Sequence, residues 1–472
     1  MRHVVAGWKT AAVMAVLVAV VYASVSTPLY AVLVVGLLIA FVAPTATMVT
    51  ALAWVVLCRQ GEALVHASVG GVAVSEIDGL LLLSVVAAIA SQRGSNRVTA
   101  RVPASFVVAI VSFPLLLLVR AALPTISSYQ GSALVDIRHV VPYLALIPAA
   151  ALVSRFGRER AVSALAALGY VPVGVAIIGS IGYRLGLIAP GESALMLVDT
   201  AGAVRPGGEL LVVILAARVA TGGGPLLARS RVLTAALIVL ELLLSQTLSI
   251  ALAVGGGALV AVLVAGKSRG SLGRVFGGFA ALAFLGLLVT GAFGAESRFN
   301  LATRLSEDSA GYRFAELAAI SDAVLGDPLL VALGAGPGSE YAFTNPYSGL
   351  IEVKGDAHNV YAAVILKVGV VGLVAYLWPY LSTLRRLRNR EDEDVTAAVS
   401  SIVAVLAVGL TVPFAWSTQG WVVVVVLLTT LAAEDVASTD LEPTYRRVRG
   451  PRRSARRRSS RGTANSRARG MV

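Results

Sequence analysis

One cysteine, four histidines and few charges leave this 472-residue chain little of the chemistry on which soluble enzymes draw. The lone Cys58 excludes an intrachain disulfide and a cysteine-rich metal site. Charged residues make up 14% and aromatics 6%, whereas soluble domains average roughly 25% charged, so a soluble globular protein is excluded as well. Apolar residues take the remaining space, at 57% of the chain and a mean hydropathy of +0.82. Many runs are long enough to cross a bilayer core of roughly 30 Å. Runs such as VVVVVLLTTLAA (422–433) do not alternate in polarity, which excludes a barrel of ~10-residue alternating strands. The chain reads as an all-α polytopic membrane protein.

The net charge of +13 suggests nucleic acid until it is located. Residues 446–472 hold eleven arginines and no acid, so the rest of the chain carries 28 bases against 26 acids. This tail has no aromatic residues on which bases could stack, and its composition is that of a disordered segment. It reads as a cytoplasmic anchor for anionic lipid headgroups, with no nucleic-acid partner.

Hydropathy gives fourteen candidate spans, near 9–25, 27–43, 45–57, 77–91, 104–122, 139–154, 161–181, 207–221, 231–245, 248–266, 275–293, 358–381, 397–413 and 418–434. Several are short, so the expectation is twelve to fourteen transmembrane helices, the first retained and not cleaved as a signal peptide. Short loops at 92–102, 155–160, 267–274 and 382–396 carry three or four Lys/Arg each. Threading places all four on one side together with both termini, and the bias of short loops makes that side cytoplasmic. Four stretches follow: an N-terminal part of the bundle (1–293), an outer segment (294–357), C-terminal spans (358–434) and the basic tail (435–472).

The outer segment is the exception to an otherwise apolar chain, with nine acids and four bases. Loops this long without structure are uncommon, and its pattern is not structureless. Residues 309–326 put Tyr312, Leu317, Ile320 and Val324 at helical spacing, with Asp327-Pro328 just past a stop at Gly326. An amphipathic helix on the membrane or the bundle is expected, followed by a tight turn at Gly334-Ala335-Gly336-Pro337-Gly338. Asp356-Ala357-His358-Asn359 then opens a span. On an uninterrupted helix, positions 358, 365, 369 and 372 fall within about 60° of each other. Gly369 and Gly372 would thus form a small-residue stripe against which a neighbour packs closely. Elsewhere Glu241 lies inside a span, where an acid is costly; pairing with an arginine and acting as a base both remain open. No metal cluster is apparent. Asp392 and Asp394 have suitable spacing but sit on the inner side beside arginines that they balance.

The stretches GYRFAELAAISDAVLGDPLLVALGAGPGSEYAF (311–343) and HNVYAAVILKVGVVGLVAYL (358–377) resemble the C-terminal signature of the O-antigen ligase and polymerase family. An arginine begins an external helix, a Pro-Leu-Leu and Gly-x-Gly turn follows, and His-Asn opens a span carrying Gly-x-x-Gly. Val204-Arg205-Pro206-Gly207-Gly208 looks like the family's external arginine segment. The resemblance implies a membrane glycosyltransferase of GT-C-like architecture, without metal or cofactor, in the cytoplasmic membrane. Its donor would be a polyprenyl-diphosphate-linked glycan, handled at the outer face, and its acceptor a sugar or lipid-linked glycan. His358 and Arg313 match the family's catalytic positions, Arg205 and Arg313 its diphosphate contacts, and Asn359, Gly336, Gly338, Gly369 and Gly372 the supporting motif. Ser245-Gln246-Thr247 stands where relatives often have a Ser-Arg pair, so a cation is owed from elsewhere, with Arg120 and Arg184 as candidates. Leu317 replaces a common tryptophan.

The chemistry of these residue types is consistent with that implication. Arginine gives phosphate oxygens a permanent bidentate partner, and a histidine at the same level can take a proton from an acceptor hydroxyl. The competing reading is a lipid-linked oligosaccharide flippase or other multi-pass transporter, but no repeated halves of the kind carriers show are visible. The expected orientation can be checked with cysteines introduced at Ser348 and Ser459 in a background lacking Cys58. An impermeant thiol reagent applied to intact cells should label position 348 only; labelling at 459 would overturn it.

Overall fold

The computed structural model describes residues 39–58, 66–69, 72–92, 102–127, 129–193, 195–200, 202–221, 231–245, 250–251, 253–257, 308–387, 393–410 and 418–433. The expected spans at 9–25 and 275–293, most of 27–43 and of 248–266, and the arginine-rich tail lie outside the described residues.

In chain order the elements are helix α1 (Pro44–Leu57), a hairpin of β1 (His66–Val69) and β2 (Val72–Ser75), α2 (Glu76–Gln92) and α3 (Ala104–Ala121). Then come β3 (Tyr129–Gln130), α4 (Ala133–Ile137), a 3-10 stretch (Arg138–Ala145), α5 (Leu146–Phe156), α6 (Arg158–Leu168) and α7 (Tyr170–Arg184). Strands β4 (Gly191–Glu192), β5 (Met196–Val198) and β6 (Val204–Pro206) precede α8 (Glu209–Thr221) and α9 (Arg231–Ser245). The last part holds α10 (Asp308–Leu325), α11 (Pro328–Leu333), β7 (Ser339–Thr344), β8 (Ile351–Lys354), α12 (Val360–Leu387), α13 (Glu393–Val408) and α14 (Thr418–Ala432).

Among the described residues, four helical stretches are long and apolar enough to cross a membrane: Ala104–Ala121, Ala133–Phe156, Arg158–Arg184 and Val360–Leu387. Shorter apolar helices run over Pro44–Leu57, Val395–Val408 and Gln419–Ala432. The chain is thus a mostly helical membrane protein, as its composition requires. The purely α expectation needs a correction, because among the described residues the connections fold into three small antiparallel sheets, β1-β2, β3-β7-β8 and β4-β5-β6. Non-helical backbone must find partners of its own, and short hairpins supply them.

Within the bundle, aromatic side chains bring four elements together. Phe113 of α3, Tyr143 of the 3-10 stretch, Tyr376 of α12 and Trp421 of α14 meet with ring centroids 5.1–6.4 Å apart. All but Tyr143 are at most 2% exposed.

The helix that matters most for the site is not continuous. Gly369 of α12 has φ +67° and ψ −169°, so the helix breaks there. A break inside an apolar helix frees carbonyls that lipid cannot satisfy. Here the turn after α11 satisfies them: Ala335 N–H donates to the Leu366 carbonyl at 2.7 Å, and Gly336 N–H to Lys367 at 3.2 Å. The approach leaves no room for side chains. A Cβ on Gly369 would lie 2.2 Å from the Ala332 carbonyl oxygen, and one on Gly334 would lie 2.5 Å from the Val368 nitrogen.

Three buried charges hold the same turn. Arg120 of α3, 6% exposed, donates to the carbonyls of Pro124 (2.8 Å), Gly334 (3.2 Å) and Ala335 (2.8 Å). Lys367 of α12 pairs with Asp136 of α4 at 2.7 Å and donates to the Ser339 carbonyl at 2.6 Å. Asp136 in turn accepts from Gly338 N–H at 2.6 Å.

These observations correct the expected stripe below the histidine. α12 begins at Val360 and breaks at Gly369, so 358, 365, 369 and 372 do not share one uninterrupted face. Gly369 serves the backbone crossing, and Gly372 packs under the Val368 side chain.

Gly369→Ala should be severely destabilising, with about 1–3 kcal/mol from the strained backbone alone and the clash in addition. Gly326→Ala, whose Cβ meets nothing within 4 Å, should melt close to wild type in detergent. Lys367→Met strands the buried Asp136 carboxylate and should cost about 3–5 kcal/mol, read as a lower melting temperature of the purified protein.

Candidate functional site

The site forms where α10 crosses the start of α12. Helix α10 runs over Asp308–Leu325, within a residue of the expected bounds. Asp327 ends the connection by capping α11, its carboxylate accepting from Leu329 N–H at 2.8 Å with Pro328 in the first turn. The buried ridge of α10 follows i, i+4 spacing through Glu316, Ile320 and Val324, which are 2%, 3% and 1% exposed. Glu316 takes the place that Leu317 was expected to hold. Leu317 is half-buried.

Asn359 accepts from the Tyr361 and Ala362 N–H groups at 3.0 and 3.1 Å, which makes it the N-cap of α12. His358 therefore precedes the helix, on backbone fixed by that cap. The imidazole Nδ1 lies 2.8 Å from Glu316 Oε2, and the His358 backbone N–H reaches the same oxygen at 3.3 Å. In the neutral ring, a carboxylate on Nδ1 places the proton there and leaves Nε2 with its lone pair. The Tyr312 ring meets the imidazole edge to face at 5.7 Å and 90°. The His358 side chain stays 40% exposed against 2% for that of Glu316, so the imidazole is held from behind and open in front.

Glu316 has a second partner. Tyr341 of β7, itself 2% exposed, points its hydroxyl at Glu316 Oε1 (3.2 Å) and at the Asp356 carbonyl (3.0 Å). Burial first, and then the Glu316 charge, raise the Tyr341 phenol far above its ordinary range, so it stays a donor. On the outer side of the histidine, Tyr312 donates to Glu352 at 2.6 Å, accepts from Lys354 and stacks near Tyr347. Burial raises Tyr312 too. These contacts fasten the β7-β8 hairpin to α10.

Arg313 and His358 come together. Both line a small cleft of about 20 Å³, with Glu316, Leu317, Ala357, Asn359 and Leu410. Arg313 is half-buried, one helical turn from Glu316, and among the described residues no carboxylate lies within ion-pair distance of it. The arrangement is an oriented imidazole with an arginine lining the same cleft.

The other expected residues divide differently. Arg120 lies outside the cleft and its guanidinium is taken up by backbone carbonyls, which corrects its assignment as a diphosphate ligand. Gly336 and Gly338, with φ +107° and +80°, shape the turn that Arg120 grips and do not line the cleft. Arg205 sits on β6 opposite Leu197 of β5, and the cleft's lining does not include it. Glu241 is fully buried in α9 and is likewise outside the cleft. Glu316 went unnoticed in the sequence although the signal was present, an acid at the one position of the 312, 316, 320, 324 ridge where a hydrophobe belongs. Tyr341 gave only the alternation of a short strand.

Comparison with known proteins adds the following. Residues 233–377 match the protein family described as O-Antigen ligase. The matched segment runs from α9 through the break in α12 and contains Arg313, Glu316, Tyr341 and His358. No curated protein matches the chain. Among solved structures, a chain described under "Structural coordination of polymerization and crosslinking by a peptidoglycan synthase complex" aligns at 18% identity with a TM-score of 0.40, covering 69% of this chain and 95% of that one. Over residues 233–377, just under a third of its length, the chain is similar to the O-antigen ligase family.

Proposed function

We propose that the protein is a metal-independent membrane glycosyltransferase that moves a glycan from a polyprenyl-diphosphate carrier to a sugar or lipid-linked acceptor. The cleft between α10 and α12 opens at the outer face of the cytoplasmic membrane in this reading, within a GT-C-like bundle. The observation that carries it is the Glu316–His358 pair at 2.8 Å, with Arg313 lining the same cleft. The similarity of residues 233–377 to the O-antigen ligase family supports a glycan ligase or polymerase in general.

In the proposed step the acceptor hydroxyl oxygen attacks the anomeric carbon of the donor. Its proton passes to His358 Nε2, while the bond from that carbon to the diphosphate oxygen breaks. The leaving diphosphate keeps the bonding pair, and Arg313 meets the charge that develops on it. Glu316 compensates the imidazolium formed in the step, as a buried carboxylate behind a catalytic histidine does. Arg205 remains a proposed second contact for the donor, reached from β6. Anionic headgroups at the basic tail would hold the inner side.

General-base catalysis contributes roughly 10²–10⁴-fold, so His358→Ala should lose turnover by that factor while donor binding survives. Glu316→Gln should lose turnover in the same direction, because an amide can present its NH₂ to Nδ1 and favour the wrong tautomer. Arg313→Lys should be damaging although it keeps the charge, since lysine cannot reproduce the planar fork. All three are read in purified protein reconstituted in lipid, with a lipid-linked glycan as donor. A His358→Ala variant that transfers glycan at the wild-type rate would overturn the assignment.

A further inference from the structure

We propose that Tyr341 is a positioning residue for the transfer reaction, and that its hydroxyl sets the proton affinity of the Glu316–His358 pair. The inference rests on the reading of His358 as the base, and goes beyond it by naming what tunes that base.

The geometry is specific. Tyr341 lies on the inward-facing register of β7, with Ser339 and Phe343 on the same buried side. Its ring stacks on Phe343 at 5.9 Å and its side chain is 2% exposed. From there one hydroxyl hydrogen is shared between two acceptors that belong to opposite partners of the pair: Glu316 Oε1 on α10 and the Asp356 carbonyl two residues before His358. The phenol therefore ties the carboxylate to the backbone that carries the imidazole. Neither Phe343 nor Tyr312 could substitute, because Phe343 has no donor and the Tyr312 hydroxyl is engaged with Glu352 and Lys354.

The direction of the effect follows from the charges present. A donor to the ionised carboxylate favours the deprotonated pair, so removing it raises the pair's proton affinity. Around the pair stand Arg313 and Tyr312 on α10, Glu352 and Lys354 on β8, and Asp356 before α12; Lys367 lies deeper, already paired with Asp136. None of these changes when the Tyr341 hydroxyl alone is removed. A base must be unprotonated to act, so the acid limb of kcat/KM moves to higher pH when the hydroxyl is lost.

The test is the pH profile of glycan transfer by the full-length protein in vesicles, comparing wild type, Tyr341→Phe, Glu316→Gln and the double variant. Tyr341→Phe should shift the acid limb upward by about one pH unit with KM for the donor unchanged. In the Glu316→Gln background the second substitution should shift nothing further. If Tyr341→Phe does not fold, difluorotyrosine incorporated at position 341 keeps the shape and strengthens the donor, and should move the limb downward. An acid limb indifferent to either change overturns the proposal, even if the rate falls. That failure is distinct from failure of the catalytic reading, which would show as wild-type transfer by His358→Ala.

Discussion

The break in α12 at Gly369 is the constraint around which the rest of the described structure is arranged. Once a helix opens inside an apolar bundle, its carbonyls must be met by protein. The amides of Ala335 and Gly336 do this, so the segment preceding α12 has to return to the bundle and insert its turn against the broken helix. Arg120 and the Lys367–Asp136 pair then hold that turn. They are costly charges to bury and are tolerated because each is fully engaged.

Placement of the site follows from that insertion. With the turn fixed, α10 and the β7-β8 hairpin on either side of it have little freedom. α10 must cross the start of α12, where Asn359 has already fixed the backbone of His358. Glu316 of α10 holds the imidazole directly, and Tyr341 of β7 in turn holds Glu316 and the Asp356 carbonyl, so two elements brace the histidine. The glycines of the motif act at a distance from the chemistry, by allowing backbone to meet backbone.

Much of this was legible in the residues, and what was missed has physical causes. Composition determined the membrane class, and helix α10 was placed within a residue because its stop at Gly326 and the Asp327-Pro328 start are strong local signals. His358 and Arg313 were found through a motif, and the structure brings them to one cleft. The glycine stripe failed because helical arithmetic assumes a continuous helix, and a positive φ at Gly369 leaves no trace in hydropathy. Arg120 looked like a ligand because an arginine near the end of a span is chemically ambiguous; only its three carbonyl acceptors decide the matter. The small sheets escaped notice since strands of two to six residues are too short for a pattern of period two to stand out.

The central claim is that the cleft between α10 and the start of α12 receives the diphosphate end of the donor. The most direct measurement is photo-crosslinking with a diazirine-bearing polyprenyl diphosphate glycan, mapped by mass spectrometry on the full-length protein in lipid. The account predicts adducts within 313–317 and 357–359 that excess natural donor suppresses. Suppressible adducts confined to other parts of the chain, with none on either of these segments, would contradict it.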